Sequence, residues 1–333
     1  MSTLASEHAF LRGGASRLSA RLGRAGMVIA GMLVVLSLLA DVLASDLPVL
    51  CKAHGKTYVL PALMKPLELR EMPWGTLERS AEWLLPPLVR HGPELANGEL
   101  RAPLLPPSLG SGHPLGTDRQ GRDVFARIVH GTRSYLLFAL TAVLASMTLG
   151  VALGALAGVF GGSVDALLSR TVESISAFPP LVLVLGIQAA VPRPTAFTLF
   201  FAIALTRWPE IARLVRGEVL YATTRDYVVA ARALGASPLR VLRRHVAPNV
   251  LGPLIVAAST GVSSVVLTEA SLDFLLVGLP AGVASWGQTM SEFRDAHHAW
   301  WLVAFPGVLL VTTIVTFTFL GEALRNAVDA RAR

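Results

Sequence analysis

The stretch Asp226-Tyr-Val-Val-Ala-Ala-Arg-Ala-Leu-Gly-Ala-Ser-Pro-Leu-Arg-Val-Leu-Arg-Arg-His-Val-Ala-Pro248 lies between long apolar segments, and its reading decides the fold. Gly235 suits the left-handed conformation that ends one short helix, while Ser237 suits the N-cap of a second that opens with Pro238. The stretch therefore predicts two short helices at an angle, held in one Arg-rich loop between membrane helices. From Arg207 to Arg244 there are eight Arg and no Lys against three acids. By the positive-inside rule, this side of the membrane is the cytoplasmic one.

The composition agrees. Hydrophobic residues make up 53% of the chain and charged residues 15%, against roughly 25% charged in an ordinary soluble domain, and mean hydropathy is positive. The chain reads as a polytopic membrane protein. Its net charge of +7 comes mostly from Arg concentrated in loops, with Lys only at Lys52, Lys56 and Lys65. That pattern fits a cytoplasmic-loop bias better than nucleic-acid binding. The single cysteine, Cys51, rules out an intramolecular disulfide and argues against a cysteine-based zinc cage.

Working outward toward the N-terminus, Arg12, Arg17, Arg21 and Arg24 against Glu7 precede an apolar run from Met27 to Ala44. This predicts a cytoplasmic N-terminus over 1–26 and a first span over 27–44. A cleaved signal peptide ending at Val42-Leu43-Ala44 is the rival, disfavoured because the rest of the chain also spans the membrane. Residues 45–112 are proline-rich and lack a long apolar run, as expected of an outer-side insert with short strands such as Lys56–Leu60. Within it, Gly55-Lys56-Thr57 mimics the end of a phosphate-binding loop. The required glycine five residues earlier is absent, since position 50 is Leu.

From Asp123, Val124, Ile128 and Leu136 recur at helical spacing beside Arg127 and Arg133, predicting an amphipathic surface helix that completes the insert at 134. A five-helix core then covers 135–320. Its first member, Tyr135 to Phe160, carries Gly150, Gly154 and Gly158, continued by Gly162, a small-residue stripe that admits another backbone. The next, Asp165 to Val191, is expected to kink at Phe178-Pro179-Pro180. Another starts near Phe197 and ends among Arg207, Arg213 and Arg216. After the loop, Asn249 to Thr268 spans roughly 30 Å. This places Glu269 at the outer interface, as a gate or, more simply, as a solvated or hydrogen-bonded residue. Trp300 to Leu320 is the last span, and 321–333 form a cytoplasmic tail. His297 and His298 do not face one way on a helix and lack nearby ligands, so no metal site is expected.

No HExxH pair, GxSxG elbow or phosphate loop is present. The Arg-rich loop has the outline of a helix-turn-helix, but adjacent spans leave no room for its supporting core. A protein partner at the membrane surface is the better reading.

The loop is similar to the EAA signature of ABC-importer permeases. Ala230, Ala231, Gly235 and Pro248 stand at matching positions, while Val229 replaces the Glu, His245 an apolar residue and Ala247 a Leu. Further stretches resemble the C-type permease of dipeptide, oligopeptide and nickel importers: His113-Pro-Leu-Gly-Thr-Asp118 with Gly121-Arg-Asp123, Tyr227 to Ser237, Leu267-Thr-Glu-Ala-Ser-Leu272, and Ser285-Trp-Gly287. Asp273 stands where that family usually has Ser, and Leu276 where it often has Gly. The resemblance covers Met27 to Ala44 and His113 to Arg333. In the insert, Ala44-Ser-Asp-Leu-Pro48 and Gly55-Lys-Thr-Tyr58 resemble oligopeptide and microcin C permeases, favouring peptides over nickel.

The resemblance implies an all-α, type I importer permease fold with six transmembrane helices in the cytoplasmic, or inner, membrane. It implies a homologous second permease, cytoplasmic ATPases that use the ATP, and an outer solute-binding protein as partners. Lipid surrounds the chain, which itself binds no cofactor and no nucleic acid. The ATPase dock would comprise Ala230, Ala231, Arg232, Gly235, Ala236, Ser237, Arg240 and Pro248. A secondary transporter is the other class, but the spans offer few mid-membrane ionisable residues.

Overall fold

A computed structural model of the chain describes residues 21–331 apart from 54, 65, 71, 73, 95–101 and 281. Most of the expected N-terminal segment 1–26, including Arg12 and Arg17, lies outside the described residues. The order begins with α1 (Arg21–Leu38) and α2 (Ala40–Leu43), then β1 (Leu50–Ala53), β2 (Lys56–Val59), α3 (Pro61–Met64), α4 (Leu67–Arg70), α5 (Trp74–Ser80) and β3 (Ala81–Leu85). It continues with α6 (Val124–Phe160), α7 (Gly162–Ser176), α8 (Pro180–Ala190), α9 (Ala196–Thr223), α10 (Asp226–Ala233) and α11 (Pro238–Val241). A π-helical turn (Leu242–Val246) leads into α12 (Ala247–Phe274), followed by α13 (Trp286–Ser291) and α14 (Trp301–Arg331). The described residues fall into two compact units, one made of 21–30, 138–265 and 314–331, the other of 31–137 and 266–313.

Among the described residues, four helices are long and apolar enough to cross a membrane: α1, α6, α12 and α14. The pair α7 and α8 makes a fifth if counted as one span, bent by 86°. The expected kink is therefore a break. Pro179 and Pro180 cannot donate to the carbonyls of Ile175 and Ser176, and Pro180 instead starts the new helix at its first position. The remaining expected span, α9, is 28 residues long, but Arg207, Glu210, Arg213, Arg216 and Glu218 crowd its second half, so composition alone does not mark it as a span.

In the first unit, α6 and α9 meet along small residues. A Cβ at Gly150 would lie 2.5 Å from that of Ile211, and one at Gly158 2.7 Å from that of Val219. Any side chain there would push the helices apart. Gly162 does not extend this stripe, because the chain turns at Gly161 and Gly162, both with positive φ. Val172, Trp208 and Ala212 close the packing between α7 and α9, and Arg216 pairs with Asp165. Between α12 and α14, Ser259 donates to the Phe317 carbonyl at 2.8 Å and Ser263 to that of Ile314 at 3.0 Å. Such hydroxyl bonds hold helices together where apolar burial gives little drive.

In the second unit, β1 is the central strand of an antiparallel sheet ordered β2-β1-β3. Cys51 on one face packs with Leu47, Ala62, Leu69 and Leu77. Gly55 sits in the β1–β2 turn with φ of +74°. The Gly-Lys-Thr sequence is thus a hairpin rather than a phosphate loop. The stretch after Asp123 is not a separate amphipathic helix: no breaker separates it from the next span, and α6 runs on unbroken. Its Arg127 is buried rather than surface-facing, donating to Glu94 at 2.8 Å and to Thr289 at 3.2 Å. Asp118 organises the preceding loop by accepting the Gln120 and Arg122 backbone N–H groups, each at 2.9 Å, and the Arg122 guanidinium at 2.6 Å.

Candidate functional site

The loop between α9 and α12 is built from local rules. In α10, Asp226 sits in the first turn and Arg232 in the last, each at the end the helix dipole favours. Gly235 ends the helix at φ +84°. Its N–H reaches the Arg232 carbonyl at 2.9 Å, and the Ala236 N–H reaches that of Ala231 at 3.0 Å, the paired bonds of a Schellman motif. Nothing lies within 4 Å of a Cβ built on Gly235, so its backbone angle, not crowding, requires glycine. One residue later, Ser237 caps α11 by accepting the Arg240 N–H at 3.4 Å, with Pro238 at the first position.

Valines moor this elbow. Val228, Val241 and Val246 are buried against Ile211, Val215, Val219 and Val250. Directly after α11, the Ala247 N–H bonds the Leu242 carbonyl five residues back, a π turn. Pro248 accounts for it, since proline cannot donate to the Arg244 carbonyl and its ring would press on it.

Of the residues expected to dock, Ala230, Arg232, Gly235, Ser237 and Arg240 are exposed together on α10, the turn and α11. Ala231 and Ala236 are half-buried beneath them. Pro248 is exposed at the start of α12 and acts through the π turn. The sequence reading missed the exposed apolar residues Tyr227, Leu234 and Leu239, of which Leu234 at 89% is the most open. An apolar residue just before a helix-ending glycine, off the valine stripe, was the available signal.

The surroundings of Glu269 differ from the solvated or hydrogen-bonded ones expected. α12 continues past Thr268 to Phe274, and Glu269 is fully buried, with neither carboxylate oxygen hydrogen-bonded. It is therefore neither solvated nor hydrogen-bonded. Four residues on, Asp273 is buried too, but fully engaged. One oxygen accepts the Leu279 N–H at 2.6 Å; the other accepts Tyr135 Oη at 2.8 Å and Ser285 Oγ. Trp286 stacks on Tyr135 with centroids 4.5 Å apart and donates to the Ile128 carbonyl at 3.0 Å. Ser285-Trp-Gly287, conspicuous in the sequence, is thereby a packing element. Among the described residues, no group of three His, Cys, Asp or Glu side chains could hold a metal ion.

Outside the spans, Glu292 closes a charged cluster by accepting the Arg119 N–H and the Arg122 guanidinium, both at 2.8 Å. Burial, with Asp118 nearby, pushes its carboxyl above the usual range, against the pull of the Arg119 N–H, Arg122 and Arg127.

The profile of binding-protein-dependent transport system inner membrane components matches residues 150–333, which include the loop, Glu269 and Asp273. The chain belongs to that family. As a transport-system component it is similar to a probable D,D-dipeptide transport system permease protein of Escherichia coli, 37% identical over 74% of this chain and 82% of the relative. It is also similar to an oligopeptide transport system permease protein of Bacillus subtilis, 34% identical over 68% of this chain and 74% of the relative. A chain of the MetNI methionine ABC transporter shares the fold, with a TM-score of 0.52 and 21% identity over 61% of this chain and 97% of that one. The chain is therefore a multi-pass inner membrane component of a binding-protein-dependent transport system, with several apolar helices and the two short helices that its Arg-rich loop predicts.

Proposed function

We propose that this permease carries short peptides inward across the cytoplasmic membrane, with both termini cytoplasmic and the loop at 226–248 docked on an ATPase subunit. The carrying observation is the rigid elbow: a Schellman turn at Gly235 and a serine cap at Ser237 display Ala230, Arg232, Arg240 and Leu234 outward, while buried valines tie them to α9 and α12. A push on such an elbow moves the spans instead of bending the loop. A homologous second permease would complete the path, and an outer binding protein would deliver the solute. ATP would be hydrolysed by the partner ATPases, with no cofactor or catalytic group on this chain. The peptide relatives support a peptide over nickel as the solute.

Gly235→Pro tests the dock. Proline cannot adopt φ near +84° and removes the N–H that bonds Arg232. The expected outcome is loss of peptide uptake in the reconstituted importer and loss of ATPase co-purification, with membrane insertion retained. Uptake and co-purification at the original level would remove the docking assignment.

A further inference from the structure

The unit that carries the loop also forms an open-sided cavity of about 720 Å³, within the roughly 300–1,000 Å³ range of small-molecule sites. Prolines from three helices converge on it. Its wall includes Pro180 at the break between α7 and α8, Pro209 inside α9 and Pro253 inside α12. Broken or kinked helices in a membrane are tolerated where they line a wet path, and solute sites lie beside them.

The lining has a definite chemistry. Phe178, Leu183, Ile211, Leu214 and Val256 form an apolar bed. Against it stand one acid, Glu210, and two bases, Arg213 and Arg325. The Glu210 side chain is 74% exposed, held at one edge by Arg207 at 3.2 Å. Arg213 donates to Ser176 at 3.0 Å, which fixes its direction without neutralising it. A lone carboxylate is too few ligands for a metal ion, and a purely apolar solute has no use for opposed charges. A short zwitterion with side chains of its own fits both features. Glu210 and Arg213 lie three residues apart, about 4.5 Å along the helix axis, whereas the ends of an extended dipeptide are about 7 Å apart. The reach of the two side chains makes up the difference.

We propose that this cavity is a transit site for short peptides, in which Glu210 receives the α-ammonium group and Arg213 with Arg325 the α-carboxylate. The inference rests on the peptide-permease reading and adds to it end-group recognition by this chain itself. It makes the permease a second reader of the solute after the binding protein.

The test uses the importer with both permeases and ATPases in nanodiscs, without binding protein, titrated with Ala-Phe, N-acetyl-Ala-Phe and Ala-Phe amide. Ala-Phe is expected to bind at least tenfold tighter than either capped form. Glu210→Gln should erase the preference over the acetylated peptide and leave the preference over the amide. Arg213→Gln should do the reverse, and Arg213→Lys, which keeps the charge, should restore discrimination against the amide. Size-exclusion elution with the partner subunits shows that each variant is assembled. Unchanged end-group preferences in the variants overturn the proposal, as does a photocrosslink to the second permease from a benzophenone side chain placed at position 256 in the resting state, which would mean that a partner helix fills the cavity. Uptake of Ala-Phe by the complete importer is measured in parallel. Uptake with unchanged preferences sinks the transit site alone, whereas no uptake of any peptide removes the peptide reading with it.

Discussion

Two helices end in the same way with different residues. After α10, Gly235 takes φ +84° and the N–H groups of Gly235 and Ala236 bond the carbonyls of Arg232 and Ala231. After α12, Leu276 takes φ +61° and the N–H groups of Leu276 and Val277 bond the carbonyls of Asp273 and Leu272. Both are Schellman motifs. At the first, glycine adopts the left-handed conformation at little steric cost; at the second, leucine adopts it against a penalty of roughly 1–2 kcal/mol. The second turn persists because distant groups over-determine it. Asp273 accepts from Leu279 on one side and from Tyr135 and Ser285 on the other, and Tyr135 is 138 residues away in sequence. One helix end is specified by its own residues, the other by the fold around it.

The sharpest way to break this contrast is Asp273→Ala. Three buried donors would lose their acceptor, so a loss of roughly 3 kcal/mol is expected, read as a lower thermal unfolding midpoint of the purified importer. Little change would mean that the second turn holds itself. Leu276→Gly works in the opposite direction. Relief of the left-handed strain outweighs the added backbone entropy and the loss of a side chain that is 66% exposed, leaving a stabilisation of about 0.5–1 kcal/mol. In the Asp273→Ala background the gain should grow, since the strained turn then lacks its support; a smaller gain would separate the two residues.

On the locally specified side, Ser237→Ala removes one cap, and the 3.4 Å bond places its cost at about 0.5 kcal/mol. Peptide uptake should fall only slightly, in contrast to Gly235→Pro. The smallest effect is a pH slope at Glu292. Its carboxyl titrates higher folded than unfolded, so its contribution to stability is fully present below the unfolded value of about 4.3. That contribution is lost as pH rises through the folded value. Glu292→Gln should flatten this part of the unfolding profile; an unaltered slope would assign it to another group.

Legibility followed the range of the interaction. Gly235, Ser237 and Pro238 act on neighbours within five residues, so their turn and cap could be read from the chain. Gly150, Gly154 and Gly158 announced a close approach, although not that Ile211 and Val219 would meet Gly150 and Gly158. Phe178-Pro179-Pro180 marked an irregularity whose size, a bend of 86°, depends on packing. Arg127 and Glu269 were misjudged for one reason: a charged side chain beside an apolar run reads as an interface residue unless the chain that buries it is known. Glu94 and Thr289, which bond Arg127, lie 33 and 162 residues away in sequence.

By itself, the sequence determined the membrane class, the loop with its two short helices and the family to which the chain belongs. Apolar run length, Arg bias and turn chemistry are properties of consecutive residues, and no partner segment is needed to express them. Only the tertiary structure decided that α7 and α8 part at the prolines, that Glu269 is sealed from solvent, that Asp273 holds a strained leucine turn, and that Glu210 and Arg213 face a cavity. Burial and hydrogen-bond partnership belong to pairs of segments, and the chain reveals those pairs only when it is folded.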